Sequence, residues 1–199
     1  MAGKNKYTTY TAGFIEADPK GAESWRNKIY ESLKCQDLEI YDPVKREAQK
    51  TGKKSGEHVD YVVGLKKSGR WELFMNEMNK IWLGNLQPTH DLFEVFKLLR
   101  YRKIIDGNTK QEMDCWADYE AVIRSDFIIA YMTKDVKTIG TVIEIFLAML
   151  FKIPVYLILD APKTETNSTL LMMVMYSEGE IFYDVKKCTE FIKEKYKLN

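Results

Sequence analysis

The stretch Thr138-Ile-Gly-Thr-Val-Ile-Glu-Ile-Phe-Leu-Ala-Met-Leu-Phe-Lys-Ile-Pro-Val-Tyr156 decides the fold class. Its glycine, Gly140, is typical of a tight turn, and an amphipathic helix is predicted after it over residues 142 to 151. An apolar run over residues 154 to 159 then predicts a buried strand. The sequence therefore indicates an α/β unit that places Glu144 where a helix begins beside a sheet edge, a position where a carboxylate can take part in catalysis.

The rest of the chain repeats this alternation of strands and helices. Runs of β-branched and aromatic residues predict strands at 7 to 15, 38 to 41, 127 to 132, 154 to 159 and 180 to 184. Helical spacing of apolar residues predicts helices at 21 to 34, 113 to 124, 142 to 151 and 185 to 196. Strands that are apolar throughout and separated by helices predict a doubly wound, parallel five-stranded sheet, in one domain over residues 1 to 199. Ligands of such sheets bind beyond the carboxyl ends of the strands.

A helical insertion after the second strand, at about residues 50 to 112, interrupts this pattern. Residues 50 to 60 are rich in Lys and Gly and predict an exposed loop, whereas Trp71 to Trp82 and Leu92 to Tyr101 predict amphipathic helices. The aromatic and methionine residues of the first helix form either a local core, or a lid or subunit contact. In the second case we expect the insertion to close over or beside the active site.

Composition points to a small ligand. The 199 residues carry 30 basic and 29 acidic side chains, a net charge of +1, so no general attraction to nucleic acid or an anionic membrane is expected. The first residues lack the apolar core of a signal peptide, and no apolar run is long enough for a membrane span, so a cytoplasmic protein is expected. Phosphate-loop and dinucleotide glycine fingerprints are missing, with Glu47 where a P-loop needs its first glycine.

The cysteine and histidine residues indicate no metal site. Cys35, Cys115 and Cys188 are widely spaced without a Cys-x-x-Cys pair, so they are interpreted as structural thiols. His58 lies in the predicted polar loop and His90 in a predicted turn, and both are interpreted as surface residues. We expect neither a metal nor another cofactor.

Four sequence segments meet at the predicted carboxyl ends of strands or in adjoining turns. They are Tyr10-Thr-Ala-Gly13, Tyr41-Asp-Pro43, Asp118 to Asp126, and Gly140-Thr-Val-Ile-Glu144. Their order and spacing resemble the nucleoside 2-deoxyribosyltransferase family, whose pattern has a Tyr-x-(x)-Ala-Gly strand, two Asp residues eight positions apart, and a Gly-rich turn leading to Glu-(Leu/Ile)-Gly-x-Ala. The resemblance covers residues 7 to 46 and 114 to 160. Phe146 departs from the pattern, because it replaces the glycine two residues after the glutamate.

This resemblance implies a fold, an activity and site residues. It implies a flavodoxin-like fold, with Glu144 attacking the anomeric carbon of a 2-deoxyribose, Asp118 assisting departure of the base, and Tyr10 orienting the nucleophile. It implies homo-oligomers whose pockets are completed across subunits. The remaining segments are expected to contact the substrate through Gly13, Asp42, Asp126, Gly140 and Thr141.

These residue types also suit cleavage of a nucleoside C–N bond when the family resemblance is set aside. Cleavage of a nucleoside C–N bond passes through a cationic, oxocarbenium-like sugar, which one carboxylate can stabilise and capture covalently. A second carboxyl group with a raised pKa can protonate the departing base. A transferase or a hydrolase, acting on a 2′-deoxynucleoside or its 5′-monophosphate, is therefore the leading hypothesis, and a non-catalytic nucleotide-binding or sensor module on the same fold is the alternative.

Ordinary structural roles compete with several of these assignments. Thr141 and Glu144 match a helix capping box, in which the glutamate would accept from the threonine amide. Asp126 precedes a buried strand and can satisfy turn amides as well as bind a sugar. Asp42 can stop the second strand or bind sugar hydroxyls, and Lys134 and Lys137 can be solvated or meet a 5′-phosphate.

Overall fold

Five parallel strands form a single sheet in a computed structural model that describes residues 7–15, 19–52, 57–84, 86, 91–106, 116–133 and 138–198. The strands are β1 (Tyr7–Gly13), β2 (Leu38–Tyr41), β3 (Phe127–Thr133), β4 (Val155–Asp160) and β5 (Glu180–Phe182). Their order is β2-β1-β3-β4-β5, and helices flank the sheet. The predicted doubly wound, flavodoxin-like α/β fold is confirmed.

The helices of the described residues are α1 (Pro19–Leu33), α2 (Pro43–Thr51), α3 (Glu57–Lys67), α4 (Trp71–Trp82), α5 (Leu92–Asp106), α6 (Asp118–Arg124), α7 (Ile139–Leu150), α8 (Ser168–Tyr176) and α9 (Val185–Tyr196). A short 3-10 helix, Lys163–Glu165, precedes α8. No helix in the described ranges is long and apolar enough to cross a membrane.

Each strand contributes side chains to two cores because successive residues point to opposite faces of the sheet. In β3, Ile128 packs with α6, α7 and α8, whereas Ile129 packs with α1 and α9 on the other face. Both residues have no exposed surface. The apolar runs that predicted buried strands thus reflect burial on both faces.

The sheet changes its winding direction at β1. The chain first places β2 on one side of β1 and then, after α2 to α6, places β3 on the other side, with Thr9 beside Ile40 and Phe127. Ligands of open α/β sheets bind beyond the carboxyl ends of the strands at such a switch point. The fold therefore directs attention to the cleft beyond the carboxyl ends of β1 and β3.

The segment between β2 and β3 contains more helix than the sequence predicted. Residues 43 to 51 form α2, which begins with Asp42 as N-cap and Pro43 in the first turn. The predicted loop at 50 to 60 is wrong for residues 57 to 60, which begin α3. Tertiary packing of α3 against α4 provides the stabilisation that the local pattern did not reveal.

Candidate active site

Tyr10 and Glu144 meet in the interior of the cleft. Tyr10 lies in the middle of β1 with no exposed surface, and its hydroxyl donates a hydrogen bond of 2.6 Å to Glu144 Oε1. Glu144 lies in the second turn of α7, on the face of the sheet toward which Tyr10 points. The strand and the helix thus bring a phenol and a carboxyl group together.

The capping-box interpretation of Glu144 is wrong. Helix α7 begins at Ile139 with Thr138 as N-cap, so Thr141 lies inside the helix and Glu144 lies beyond its first turn. The carboxylate accepts from Tyr10. The predicted start at Val142 was three residues late because Gly140 was interpreted as a turn outside the helix.

The environment of Glu144 favours its protonated form. Burial raises the pKa of Glu144 to about 8 from an ordinary value of 4.5, and the hydrogen bond from Tyr10 opposes this rise. The negative charge of Asp118 raises the pKa further, whereas the positive charge of Arg26 lowers it. Burial also raises the pKa of Tyr10 well above its ordinary value, so Tyr10 keeps its proton and remains a hydrogen-bond donor.

Asp118 is the first residue of α6 and lines the same cavity as Tyr10 and Glu144. Its charge adds to the raised pKa values of both residues, which is the electrostatic signature of their proximity. Behind them, Tyr41 stacks on Tyr10 with ring centroids 5.6 Å apart, and its hydroxyl donates to the Trp116 carbonyl at 2.9 Å. This aromatic packing fixes the wall from which Tyr10 and Asp118 face the cavity.

The cavity has a volume of about 670 Å³ and two chemically different walls. The reactive wall carries Tyr10, Asp118 and Glu144. The opposite wall comes from α3 and α4, which we call the cap, and its lining side chains are Val59, Val62, Val63, Lys66, Lys67, Met78, Ile81 and Trp82. The insertion thus lies beside the candidate active site, and its apolar side chains line that cavity. The exposed Trp71 and Met75 of α4 do not form the local core that was one interpretation.

Glycine and threonine residues shape the cavity near the reactive wall. Gly13, Gly140 and Thr141, which are expected from the sequence to contact the substrate, line this cavity. A Cβ atom on Gly13 would lie 2.6 Å from Cζ2 of the buried Trp25, so glycine is required there for packing. A Cβ atom on Gly140 would meet no atom within 4 Å, so this glycine leaves open space for a ligand.

Arg26 holds the loop after β1 and was missed by sequence reasoning. Its guanidinium group is buried and donates to the carbonyl groups of Gly13 at 3.1 Å and Phe14 at 3.2 Å. Its Nε atom lies 3.5 Å from Asp42 Oδ1. Arginine residues of amphipathic helices normally face solvent, so nothing in the sequence indicated that Arg26 is buried.

Asp42 has the structural role that was one of its two interpretations. Its carboxylate accepts from the Val44 amide at 3.0 Å as the N-cap of α2, and it pairs with Arg26. Asp42 is buried and is not part of the cavity lining, although the adjacent Pro43 is. The structure therefore places it behind the wall of the cavity.

The expectation that Asp126 contacts the substrate is corrected. Its Oδ2 accepts from the Thr8 amide at 2.7 Å, and its Oδ1 pairs with Lys103 at 2.5 Å. Asp126 precedes β3, so it lies at the amino edge of the sheet, opposite the cavity. Its structural interpretation was right, although the amide that Asp126 satisfies belongs to strand β1 and not to a turn. Helix α6 lies between Asp118 and Asp126 and places them at opposite edges of the sheet.

Phe146 does not alter the cavity floor. Its side chain is 45% exposed and is not part of the cavity lining, although it follows Glu144 by only two positions on α7. Residues two apart on a helix point in different directions. The departure from the family pattern therefore affects the outer surface of α7.

The prediction that His58 is a surface residue is wrong. His58 is 2% exposed, and its ring lies between the carboxylates of Glu47 and Glu77. Glu47 lines the cavity and was not predicted as a site residue. His90, Lys134, Lys137 and Cys115 lie outside the described residues.

The described residues contain no group of three His, Cys, Asp or Glu side chains that could hold a metal ion. Cys35 and Cys188 are free thiols. Comparison of the sequence with protein-family models and with curated proteins finds no match. The interpretation of the site therefore depends on its own geometry and chemistry.

Proposed function

We propose that the protein is an enzyme of the nucleoside 2-deoxyribosyltransferase superfamily. It cleaves the N-glycosidic bond of a 2′-deoxynucleoside or its 5′-monophosphate through a covalent intermediate on Glu144. The observation that carries the proposal is the 2.6 Å hydrogen bond from Tyr10 to Glu144 inside a cavity that Asp118 also lines. This arrangement supports a role for Glu144 beyond capping a helix.

In the first step, the bond between the anomeric carbon and the base nitrogen breaks while a bond forms between that carbon and Glu144 Oε2. Tyr10 holds Oε1 and so directs the other oxygen toward the sugar. Asp118, in its protonated form, transfers its proton to the departing base nitrogen. The electron pair of the broken bond leaves with the base, which departs neutral.

In the second step, a second base or water attacks the anomeric carbon and releases Glu144. A base gives a new nucleoside, whereas water gives free deoxyribose, and Asp118 accepts the proton of the attacking group. Glu144 must be ionised to attack, and because burial raises its pKa to about 8, the ionised fraction of the enzyme grows as pH rises toward that value. The positive charge that develops on the sugar then stabilises the ionised carboxylate.

Two features of the cavity support a polar, nucleoside-sized ligand. Its volume of about 670 Å³ lies within the usual range of small-molecule sites. Thr138 Oγ1 is buried there without a hydrogen-bond partner among the described residues, and a sugar hydroxyl would satisfy it.

The proposal includes a cytoplasmic homo-oligomer. Helices α7 and α8 pack against each other and expose large apolar side chains on their outer surface. We call this surface the α7–α8 face, and its exposed side chains are Phe146, Leu150, Met172, Met175 and Tyr176. Exposed apolar side chains grouped on two neighbouring helices are typical of a protein interface, and a second copy of the chain is the proposed occupant.

The decisive experiment incubates the protein with a panel of deoxynucleosides and deoxynucleoside monophosphates, with and without a second free base, followed by chromatographic separation of the products. An exchanged nucleoside identifies a transferase, and free base with deoxyribose identifies a hydrolase. Tight binding of one compound without turnover of any would overturn the catalytic proposal in favour of the nucleotide-sensor alternative.

A further inference from the structure

His58 joins three helices through two carboxylates. Its Nδ1 contacts Glu47 Oε1 on α2, and its Nε2 lies 3.3 Å from Glu77 Oε2 on α4. The His58 side chain is 3% exposed, and those of Glu47 and Glu77 are 14% and 22% exposed. Lys80 pairs with Glu77 at 2.7 Å. The contact therefore lies mostly away from water, between the cap and α2.

The geometry fixes the orientation of Glu47. Because a carboxylate only accepts hydrogen bonds, the His58 ring donates from Nδ1 to Glu47 Oε1. A hydrogen bond to a carboxylate is stronger than one between neutral groups and holds its partner in a defined position. His58 thus holds Oε1 of Glu47 on one side while the Glu47 side chain lines the cavity.

The two glutamates differ in one respect that matters for function. Glu47 lines the cavity that contains Glu144, whereas Glu77 does not. Burial of a charged group is costly, and a purely structural contact between three helices can be made by apolar side chains without that cost. A carboxylate that is kept at the cavity wall and oriented by a buried histidine therefore points to recognition of a ligand.

The part of the cavity wall formed by the cap is mostly apolar, which suits a flat ring. Six of its eight lining side chains are apolar, and Lys66 and Lys67 are the two charged ones. A nucleobase offers such a ring, with hydrogen-bonding groups confined to its edge. A phosphate at Glu47 would be repelled by the carboxylate, so the base is the better occupant of this part of the cavity.

We propose that the cap binds the nucleobase and that Glu47, oriented by His58, selects bases that carry an exocyclic amino group. The inference rests on the proposed function. A carboxylate accepts a hydrogen bond from the amino group of adenine or cytosine. Hypoxanthine and uracil carry a carbonyl oxygen at the same position, which the carboxylate repels. In this assignment Glu47 is a specificity-determining residue and His58 is a positioning residue.

The experiment compares two matched pairs of substrates, 2′-deoxyadenosine with 2′-deoxyinosine and 2′-deoxycytidine with 2′-deoxyuridine. In each pair the kcat/KM of the amino base divided by that of the oxo base gives a selectivity ratio. We expect a selectivity ratio above about ten in the unmodified protein for at least one pair. One hydrogen bond to a charged group supplies enough free energy for this preference. We expect a ratio near one in Glu47→Gln, because an amide can donate as well as accept.

Glu77→Gln is the matched control. It changes the other carboxylate on the same histidine, but it lies outside the cavity lining, and a glutamine amide can either donate to Nε2 or accept from it. We expect it to keep the selectivity ratio, whereas His58→Gln lowers the ratio by releasing Glu47. Thermal unfolding of all three variants identifies any that fail to fold, and isothermal titration of both pairs into each folded variant in a Glu144→Gln background provides the same comparison without turnover.

The outcomes separate this inference from the proposed function. Turnover with an unchanged ratio in Glu47→Gln, or equal kcat/KM for amino and oxo bases in the unmodified protein, overturns the role of Glu47 and leaves the glycosidic cleavage standing. An equal fall of the selectivity ratio in Glu77→Gln and in Glu47→Gln also overturns the role of Glu47, because the effect would then be structural. If no panel member is turned over or bound, both the role of Glu47 and the proposed glycosidic cleavage are overturned.

Discussion

The Tyr10 hydroxyl and the Glu144 carboxylate lie 2.6 Å apart although 134 positions separate them in the sequence. One residue comes from strand β1 and the other from α7, which follows β3. Their contact depends on the parallel pairing of β1 with β3 and on the packing of α7 against the sheet. The orientation of the proposed nucleophile is therefore a property of the whole fold.

Replacement of Glu144 with Ala is expected to reduce turnover by at least about a thousandfold, because the covalent route needs its carboxylate. Intact-mass measurement of the unmodified protein with substrate should show a deoxyribosyl adduct that the variant lacks. Circular dichroism of the variant serves as the control for folding. Substantial turnover in a folded Glu144→Ala variant would contradict the assignment.

The raised pKa of Glu144 predicts a pH-dependent stability. In the folded protein the carboxyl group holds its proton up to a pKa of about 8, whereas the unfolded chain releases it near the ordinary value of 4.5. The folded state then binds more protons between these values, so the free energy of unfolding falls as pH rises from about 4.5 to about 8. Denaturant unfolding at pH 5 and pH 8.5 should show Glu144→Gln gaining stability relative to the unmodified protein at the higher pH. An equal difference at both pH values would contradict this.

Tyr10→Phe and Asp118→Asn should shift the pKa of Glu144 in opposite directions. The hydrogen bond from Tyr10 lowers this pKa, so its loss should raise the pKa. The negative charge of Asp118 raises this pKa, so its loss should lower the pKa. An NMR titration of the Glu144 side-chain carboxyl carbon in each variant provides the measurement. Shifts of the same sign would show that the two residues do not act on the ionisation of Glu144 in this way.

Gly140→Ala should separate stability from substrate binding. The added Cβ meets no protein atom and replaces a glycine inside a helix, which should stabilise the fold by about 0.5–1 kcal/mol. The same methyl group enters the cavity and should raise KM. Gly13→Ala is the contrasting variant, because its Cβ would lie 2.6 Å from Trp25 and should destabilise the fold by about 1–3 kcal/mol. Unchanged KM in Gly140→Ala would place the substrate elsewhere in the cavity.

Phe146→Glu on the α7–α8 face should convert the proposed oligomer to a monomer, since it introduces a charge into the apolar contact. Ile104→Glu is the control, because Ile104 is 70% exposed on α5 and lies outside that face. Light scattering at micromolar concentration measures the mass of each. A monomeric unmodified protein, or an unchanged mass in Phe146→Glu, would contradict the proposed interface.

The sheet and the reactive wall could be predicted because each element carries its own local signal. The apolar runs of β3 and β4 reflect burial on both faces, and the segments that contain Tyr10, Asp118 and Glu144 were correctly placed at one edge. Asp126 was assigned to the site together with the family resemblance, although a residue that directly precedes a strand of a parallel sheet lies at its amino edge. The hydrogen bond from the Thr8 amide places Asp126 at that edge.

The cap side of the cavity could not be predicted for a different reason. His58 and Glu47 are polar residues of segments that look solvated, and their burial comes from the packing of three helices. Arg26 is a similar case, because its partners are the backbone carbonyl groups of a distant loop and the carboxylate of Asp42. Contacts between distant segments leave no periodic pattern in the sequence, so they can be identified only from the folded structure.

The pairing of β1 with β3 also has a consequence for how the chain is made. Thr9 and Phe127 are neighbours in the sheet although 118 positions separate them. During translation, β1 therefore cannot pair with β3 until the ribosome has synthesised the residues between them. At ribosomal rates of about 5–20 residues per second, that wait lasts roughly 6 to 24 seconds. During this interval β1 can pair with β2 but leaves its other edge open to strands of other nascent chains. The strand that carries Tyr10 is thus exposed to mispairing while the chain is being synthesised.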